Sequence, residues 1–399
     1  MFEGVRVLEV AEWILVPAAA AILAEFGADV IKVERPEGGD MFRGTAVSGT
    51  SATTDGVSFH MEGVNRGGKR SVGVDVTRPE GRDLVLKMAR EADVFMTSLR
   101  PNARRKLGID VDDVRAVNPN IIYAYGHGTG TEGPDAEKAG YDMSVYWSRG
   151  GIGYSVAEPE FARPVRMRPA MGDRIAAMNL VAGTAAALFK RAQTGETSVV
   201  EVSLLGTAVW QIASDVVYSK AFGIENSRVS RGRNPLVEYY KTADDRWLSF
   251  VFLESDRWWK PFAELIGLAG LVEDPRFCDH AAREENYEEC CGVLAETFRG
   301  ATLAEWRERL ADFAGPWEPV QSVQELLHDP QLIANQYLVD MKTNSGQNVS
   351  VVPAPVRFDG KLGRLEPCPE AGANTEEVLL ELGETWEDIV RHKDGGYIS

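Results

Sequence analysis

The stretch that most limits what this chain can fold into lies at its start. Val5-Arg6-Val7-Leu8-Glu9-Val10 is a short β-branched run, Pro17 to Phe26 reads as a helix stopped by Gly27, and Asp29-Val30-Ile31-Lys32-Val33-Glu34 is a second strand. Strand, helix, strand in so short a span gives a right-handed crossover between parallel strands. The alternation continues. A helix is expected from Pro79 to Ala92, a strand over Asp93 to Thr97, a short helical stretch to Leu107, and strands over Ile121 to Tyr125 and Val199 to Leu204. The fold class is therefore α/β, built on a parallel sheet.

Ligands on such sheets bind beyond the carboxyl ends of the strands. Those ends carry Arg35, Arg100 with Arg104-Arg105-Lys106, and the turn Gly126-His127-Gly128-Thr129-Gly130, in which His127 reads as a turn residue. The segment Asn65-Arg66-Gly67-Gly68-Lys69-Arg70 adds further positive charge, either to a site for a phosphate-rich ligand or to a solvated basic surface. The first turn, Ala11 to Val16, contains no glycine, so it cannot admit a pyrophosphate as G-x-G-x-x-G does, and nicotinamide or flavin use is not expected. A net charge of −17 opposes general affinity for nucleic acid or an anionic membrane, although a local basic pocket could still hold one phosphorylated ligand. With no leader-like start and no run near the roughly 18 apolar residues of a membrane span, the expected compartment is the cytoplasm. Cys278, Cys290, Cys291 and Cys368 form no C-x-x-C pair and lie far from any histidine cluster, which fits reduced thiols and no metal site.

A chain of 399 residues exceeds what one core usually serves. The polar, turn-rich stretch Asn226 to Pro235 marks the division. The expected organisation is a large domain over 1–201, a helical linker over 202–231, a small α+β domain over 232–320 containing the strand Trp247 to Phe252, and a return segment over 321–399 that completes the large domain. The candidate chemistry sits in Arg168-Pro169-Ala170-Met171-Gly172-Asp173-Arg174, which opens a long helix of small and apolar residues running to Lys190. A helix N-terminus favours negative charge, so Asp173 is expected ionised, and an ionised, aimed carboxylate can serve as a nucleophile. Aspartate is also a common helix cap, and the local pattern leaves both roles open.

Several segments in order resemble the family III CoA-transferases, the group that also holds crotonobetainyl-CoA transferase and α-methylacyl-CoA racemase. They are Phe2 to Glu9, Leu23 to Pro36, Asn65 to Ser71, Arg100-Pro101, Gly140-Tyr141-Asp142 and Gly172-Asp173. The resemblance implies a Rossmann-like large domain completed by the C-terminal segment, a small domain, and two chains threaded into an interlocked homodimer. It makes Asp173 the catalytic nucleophile, passing through an acyl anhydride and an aspartyl-CoA thioester. Acyl-CoA and a free carboxylic acid would be substrates, with no tightly bound cofactor and no nucleic-acid or membrane partner. The CoA phosphates would lie near Arg35, the Ser98-Leu99-Arg100 turn and Lys106, with Arg104 and Arg105 as flanking surface charge.

Departures from the family narrow the reading. Family racemases place a histidine where this chain has Tyr141, and a phenol near pKa ~10 is a weak base, which favours transfer over racemisation. The four-glycine run of oxalate-specific members is missing around Arg231-Gly232-Arg233-Asn234, and Ile14 stands where those members carry a glutamine. Trp13, Ile14, Tyr141, Asp142, Tyr146 and Trp147 are the candidate acyl-pocket residues, of a kind closest to members acting on aryl-acyl or 2-hydroxy acids. Tyr146 and Trp147 could equally pack a helix, and Asp142 could equally cap one. A racemase of 2-substituted acyl-CoA and a catalytically silent CoA-binding protein remain the competing readings.

Overall fold

The computed structural model describes residues 1–44, 53–54, 57–157, 163–223 and 234–399. The turn-rich stretch from Asn226 lies outside the described residues as far as Arg233. Two compact units divide the chain, one of Met1–Arg228 with Gln336–Ser399 and one of Val229–Asn335.

The larger unit holds six parallel strands: β1 (Arg6–Val10), β2 (Asp29–Glu34), β3 (Arg70–Gly73), β4 (Val94–Thr97), β5 (Ile122–His127) and β6 (Val199–Ser203). Helix α1 (Leu15–Glu25) links β1 to β2, α2 (Pro79–Arg90) leads towards β4, and α3 (Met171–Thr194) leads into β6. The spatial order is β3-β2-β1-β4-β5-β6, the order of a doubly wound Rossmann sheet. The expected α/β class and parallel sheet hold. Strand β3 was not expected, because Arg70-Ser71-Val72-Gly73 is short, opens on a charge and shows no alternation of its own.

Alternation along the strands sends residues to two cores. Val7, Val30, Val94, Met96, Ile122 and Ala124 face α1 and α3. Leu8, Ile31, Val33, Phe95 and Tyr123 face α2 and the C-terminal helices Thr375–Glu381 and Trp386–Asp394 through Val378, Leu379 and Ile389. β4 and β5, covered on both faces, are buried at every position, as interior parallel strands are. Every residue of α1 is buried, and its alanines at 18–21 and 24 let it lie close against both the sheet and α3.

The return segment seals the β3 edge. Ser71 N–H donates to Asn374 Oδ1 at 3.0 Å, Gly73 N–H to Thr375 Oγ1 at 3.0 Å, and Ser399 N–H to Gly73 O at 3.2 Å. An exposed edge of unpaired backbone groups is thereby covered by the chain's own later residues.

In the smaller unit, Tyr239–Lys241, Trp247–Phe250 and Trp317–Pro319 form an antiparallel sheet, with the middle strand ending two residues earlier than expected. Phe250, Phe252, Phe262, Phe298 and Trp306 build an aromatic core between it and the helices Ser255–Leu265, Tyr287–Phe298 and Leu303–Arg309. Among the described residues, no helix is long and apolar enough to cross a membrane.

Candidate active site

The sheet's topology decides where α1 and α3 begin. Arg191, in the last turn of α3, pairs with Asp93 at 2.6 Å, immediately before β4 starts. The first turn of α3 therefore sits at the opposite edge, where the strands end and where α1 also begins. Neither helix is capped by a side chain at its N-cap, Ile14 for α1 and Ala170 for α3. Both start beside a left-handed residue that is not glycine: Trp13 has φ 72° and Ala170 has φ 69°. Such residues cost about 1–3 kcal/mol each and persist only where their surroundings impose them.

Asp173 lies half-buried in the first turn of α3. Its position is the expected one and its charge state is not. Burial, and then the charge of Asp142, push its pKa up to about 7, so the helix N-terminus does not keep it fully ionised at neutral pH. It is not the helix cap either, since Ala170 occupies that place. Asp142 is buried, and its Oδ1 accepts from Met143 N–H at 2.7 Å at the head of the π-helical turn Met143–Arg149. Burial raises its pKa, against the downward pull of the Met143, Ala170 and Gly172 amides. The Asp142 carboxylate thus stands against the opening of α3.

The aromatic candidates gather at the same edge. Tyr146 is buried, and a Cβ added at Gly172 would meet its ring at 2.5 Å, so glycine lets the Tyr146 side chain approach the start of α3 closely. Trp13 packs edge-on to Tyr141 with ring centroids 5.5 Å apart, and Phe42 lies on its other side at 6.2 Å. Tyr141 is 59% exposed, which leaves its face open to solvent. Trp147 instead donates its indole N–H to Val165 O at 2.9 Å and packs on the core. The structure brings Trp13, Ile14, Tyr141, Asp142, Tyr146 and Asp173 together at the strand ends.

The strand order reverses between β1 and β4, and a second group of predicted residues lies there. Ser98, just past β4, accepts from Glu12 N–H at 3.2 Å and donates to Glu12 O at 3.3 Å across the reversal. Arg35 reaches Glu12 at 3.2 Å and keeps about half its side chain exposed. Leu99 N–H donates to Thr97 Oγ1, Arg100 donates to Glu137 O at 3.0 Å, and Lys106 lies in the last turn of the helix Pro101–Leu107.

Two expectations about cations fail. Arg104 is buried, pairs with Asp110 at 3.1 Å and stacks 4.3 Å from the Tyr125 ring centre, so it is not surface charge, whereas Arg105 is exposed. The basic segment is neither phosphate site nor solvated surface as far as Lys69. Arg66 pairs with buried Glu25 at 2.7 Å, and Lys69 pairs with buried Glu9 at 2.6 Å while donating to Pro17 O and Asn65 Oδ1. Burial pulls the Lys69 pKa down to about 8 against the Glu9 charge. His127 is buried at the end of β5, its Nδ1 accepting from Gly130 N–H.

Sequence reasoning also missed the ion cluster under the first turn. Lys32 bridges Glu9 at 2.8 Å and Asp40 at 2.9 Å, all three almost wholly buried. The available signal was a charged residue flanked on both sides by apolar ones in each of two strands, Glu9 in β1 and Lys32 in β2. A cavity of about 550 Å³, lined by Asp29, Arg70, Asn344, Arg364, Glu366 and Asn374 among others, opens where β2 and β3 begin, away from Asp173. Among the described residues no group of three His, Cys, Asp or Glu side chains could hold a metal, and all four cysteines are free.

The sequence profile of CoA-transferase family III matches residues 2–375. The (R)-2-hydroxy-4-methylpentanoate CoA-transferase of Clostridioides difficile is 32% identical, with 99% of this chain and 98% of that protein covered. The cinnamoyl-CoA:phenyllactate CoA-transferase of Clostridium sporogenes is 30% identical, with 98% and 95% covered. The crystal structure of a CaiB/BaiF family protein from Brucella suis superposes with a TM-score of 0.82 at 28% identity, covering 96% of this chain and 99% of that one. With the profile spanning nearly its whole length, this chain belongs to CoA-transferase family III and is an enzyme of the acyl-CoA:carboxylate CoA-transferase class.

Proposed function

We propose that the enzyme moves CoA from an aryl-acyl or 2-hydroxyacyl thioester to a free acid of the same kind, with Asp173 as covalent nucleophile. The observation that carries this reading is a half-buried carboxylate, more basic than usual, in the first turn of a helix at the sheet's carboxyl edge whose N-cap residue, Ala170, offers no capping side chain. A more basic carboxylate is the better nucleophile, provided it is deprotonated when the thioester arrives. An Asp173 oxygen attacks the thioester carbonyl, the C–S bond breaks, and CoA leaves as thiolate, giving a mixed anhydride. The thiolate attacks the Asp173 carbonyl carbon and releases the acyl group as carboxylate. The resulting aspartyl-CoA thioester is attacked by the incoming acid, and the two steps run in reverse. Each tetrahedral intermediate carries an oxyanion, and one well-placed donor is worth roughly 3–4 kcal/mol.

Arg35, Ser98, Leu99, Arg100 and Lys106 hold the CoA in this reading. Arg35, Ser98, Leu99 and Arg100 are supported by their place at the reversal of strand order, where doubly wound sheets bind ligands, and Lys106 by the family resemblance alone. Trp13, Ile14, Tyr141, Asp142 and Tyr146 surround the acyl group, and the substrate class follows the named activities of the Clostridioides difficile and Clostridium sporogenes relatives. A homodimer is part of the proposal. The helix Ala213–Phe222 has no buried residue, and Val217, Phe222 and the preceding Trp210 are 66%, 66% and 74% exposed, an apolar surface suited to a second copy.

Mass spectrometry of the purified enzyme with a panel of acyl-CoAs and free acids in deuterated water tests the reading. New acyl-CoA species without deuterium, together with hydroxylamine-trapped Asp173, are expected. Deuterium at the α-carbon without acyl exchange would replace transfer by racemisation. Sedimentation at the mass of a single chain would overturn the dimer.

A further inference from the structure

The glycine-free turn between β1 and α1 is held at three successive residues by three side chains. Ala11 O accepts from Lys32 Nζ at 2.8 Å, Glu12 is bracketed by Ser98, and Trp13 N–H donates to Asp40 Oδ1 at 3.2 Å. The Asp40 carboxylate is almost fully used. Its Oδ1 also accepts from Phe42 N–H at 2.9 Å, its other oxygen pairs with Lys32, and its own N–H donates to Glu34 Oε2 at 2.7 Å. The chain reaches this place through Gly39, which has φ 64° and where a Cβ would stand 2.7 Å from Glu34 Oε2. Around it lie three carboxylates, Glu9, Glu34 and Asp40, and three cations, Lys32, Lys69 and Arg43, so the cluster is neutral in sum and every member has a partner.

Clusters of buried charge seldom raise net stability, because desolvation consumes most of the attraction, but they fix geometry firmly. Here the geometry fixed is that of a strained residue. Left-handed tryptophan is unfavourable, and the turn has no glycine to take its place. With its amide held by Asp40, Trp13 directs its indole onto Tyr141, whose neighbour Asp142 stands against the opening of α3.

We propose that Asp40 is a positioning residue for acyl selectivity: anchored on Lys32, it holds Trp13 in its left-handed conformation so that the indole and Tyr141 form a rigid wall of the acyl pocket. This rests on the transferase reading for its substrate and on the ion cluster for its mechanism, and the two are separable by experiment.

The enzyme is labelled with 5-fluorotryptophan, which gives nine ¹⁹F signals, one per tryptophan, and the Trp13 signal is assigned with Trp13→Phe. In Asp40→Ala that signal should move or broaden while the other signals stay in place. Asp40→Asn keeps an acceptor for the Trp13 amide but turns an amide N–H group towards Lys32, so it should displace the signal less than Asp40→Ala does. In parallel, kcat/KM is compared for 3-phenylpropionyl-CoA and propionyl-CoA with one common acceptor acid. Asp40→Ala should lower the aryl preference about tenfold or more, and Asp40→Asn should lower it by less. The same change in a Trp13→Ala background should have no further effect, because the wall is already gone. An unmoved Trp13 signal in folded Asp40→Ala, or an equal loss of preference in the Trp13→Ala background, overturns the proposal. If Asp40→Ala does not fold, hydrogen exchange in the wild-type protein decides. The Trp13 amide should be strongly protected, and exchange at the rate of an open turn overturns the proposal. A wild-type enzyme that transfers none of the panel defeats the transferase reading alone, because the fluorine and exchange results still report whether Asp40 holds Trp13.

Discussion

Two sets of helix starts in this protein are built in opposite ways. The helices Leu303–Arg309, Val323–Leu326 and Trp386–Asp394 each open on a reciprocal capping box, Thr302 with Glu305, Ser322 with Glu325, and Thr385 with Asp388. Their first N–H groups are satisfied by their own sequence. At the carboxyl edge of the large sheet, α1 and α3 open on Ile14 and Ala170, with no capping side chain of their own and a left-handed residue at each start. A helix that only has to begin can be closed off locally. A helix whose first turn faces a site leaves its amides to other partners, and the fold bears the strain.

The largest effect is expected from Asp173→Asn. On the nucleophile reading, acyl exchange should fall at least about 10³-fold in the mass-spectrometric assay. The fold should gain rather than lose. The Asp173 pKa, about 7 in the folded state, lies above the ordinary carboxylate value, so the folded chain holds this proton more tightly and stability falls as pH rises between the two values. Asparagine removes that cost. Because the side chain is only half-buried, solvent screening reduces the gain at pH 8 to the order of 1–3 kcal/mol, with little at pH 4, read from denaturant midpoints. Loss of stability at pH 8 would mean that the ionised carboxylate steadies the helix start and has a structural role.

Asp142→Asn should give an intermediate effect. The rate of exchange in the wild type should rise through pH about 7 as Asp173 loses its proton. Removing the neighbouring charge while keeping an acceptor for the Met143 amide should move that midpoint to lower pH. An unmoved midpoint would leave burial as the sole cause of the shift.

The smallest effect should come from the capped set. Thr302→Ala should cost about 1 kcal/mol of stability and leave the exchange rate within twofold. A rate change as large as that of Asp142→Asn would erase the distinction between the two kinds of helix start.

What could be read in advance follows the same division. Strands β1, β2, β4 and β5 show themselves as β-branched and aromatic runs, because burial on both faces favours apolar residues at most positions. β3 does not, because Arg70 to Gly73 becomes a strand through pairing with β2 and through the cover supplied by Asn374, Thr375 and Ser399. The address of Asp173 at a helix start was legible from helical spacing. Its charge state was not, since that depends on burial and on Asp142, which arrives from a separate segment. Arg66, Lys69 and Arg104 were legible as cations but not as interior ones. Their partners Glu25, Glu9 and Asp110 are chosen by tertiary structure, and no local pattern points to them.

The cover over the β3 edge also fixes an order of events during synthesis. The smaller unit, Val229–Asn335, is an insertion between two parts of the larger one, and it leaves the ribosome before residues 374–399 do. Until those residues emerge, β3 can pair with β2 but presents its other side unprotected to any extended chain nearby. A nascent chain of this protein therefore carries an open sheet edge through the making of an entire further domain. Its dependence on chaperones should be greatest in that interval, ending when Asn374 reaches Ser71.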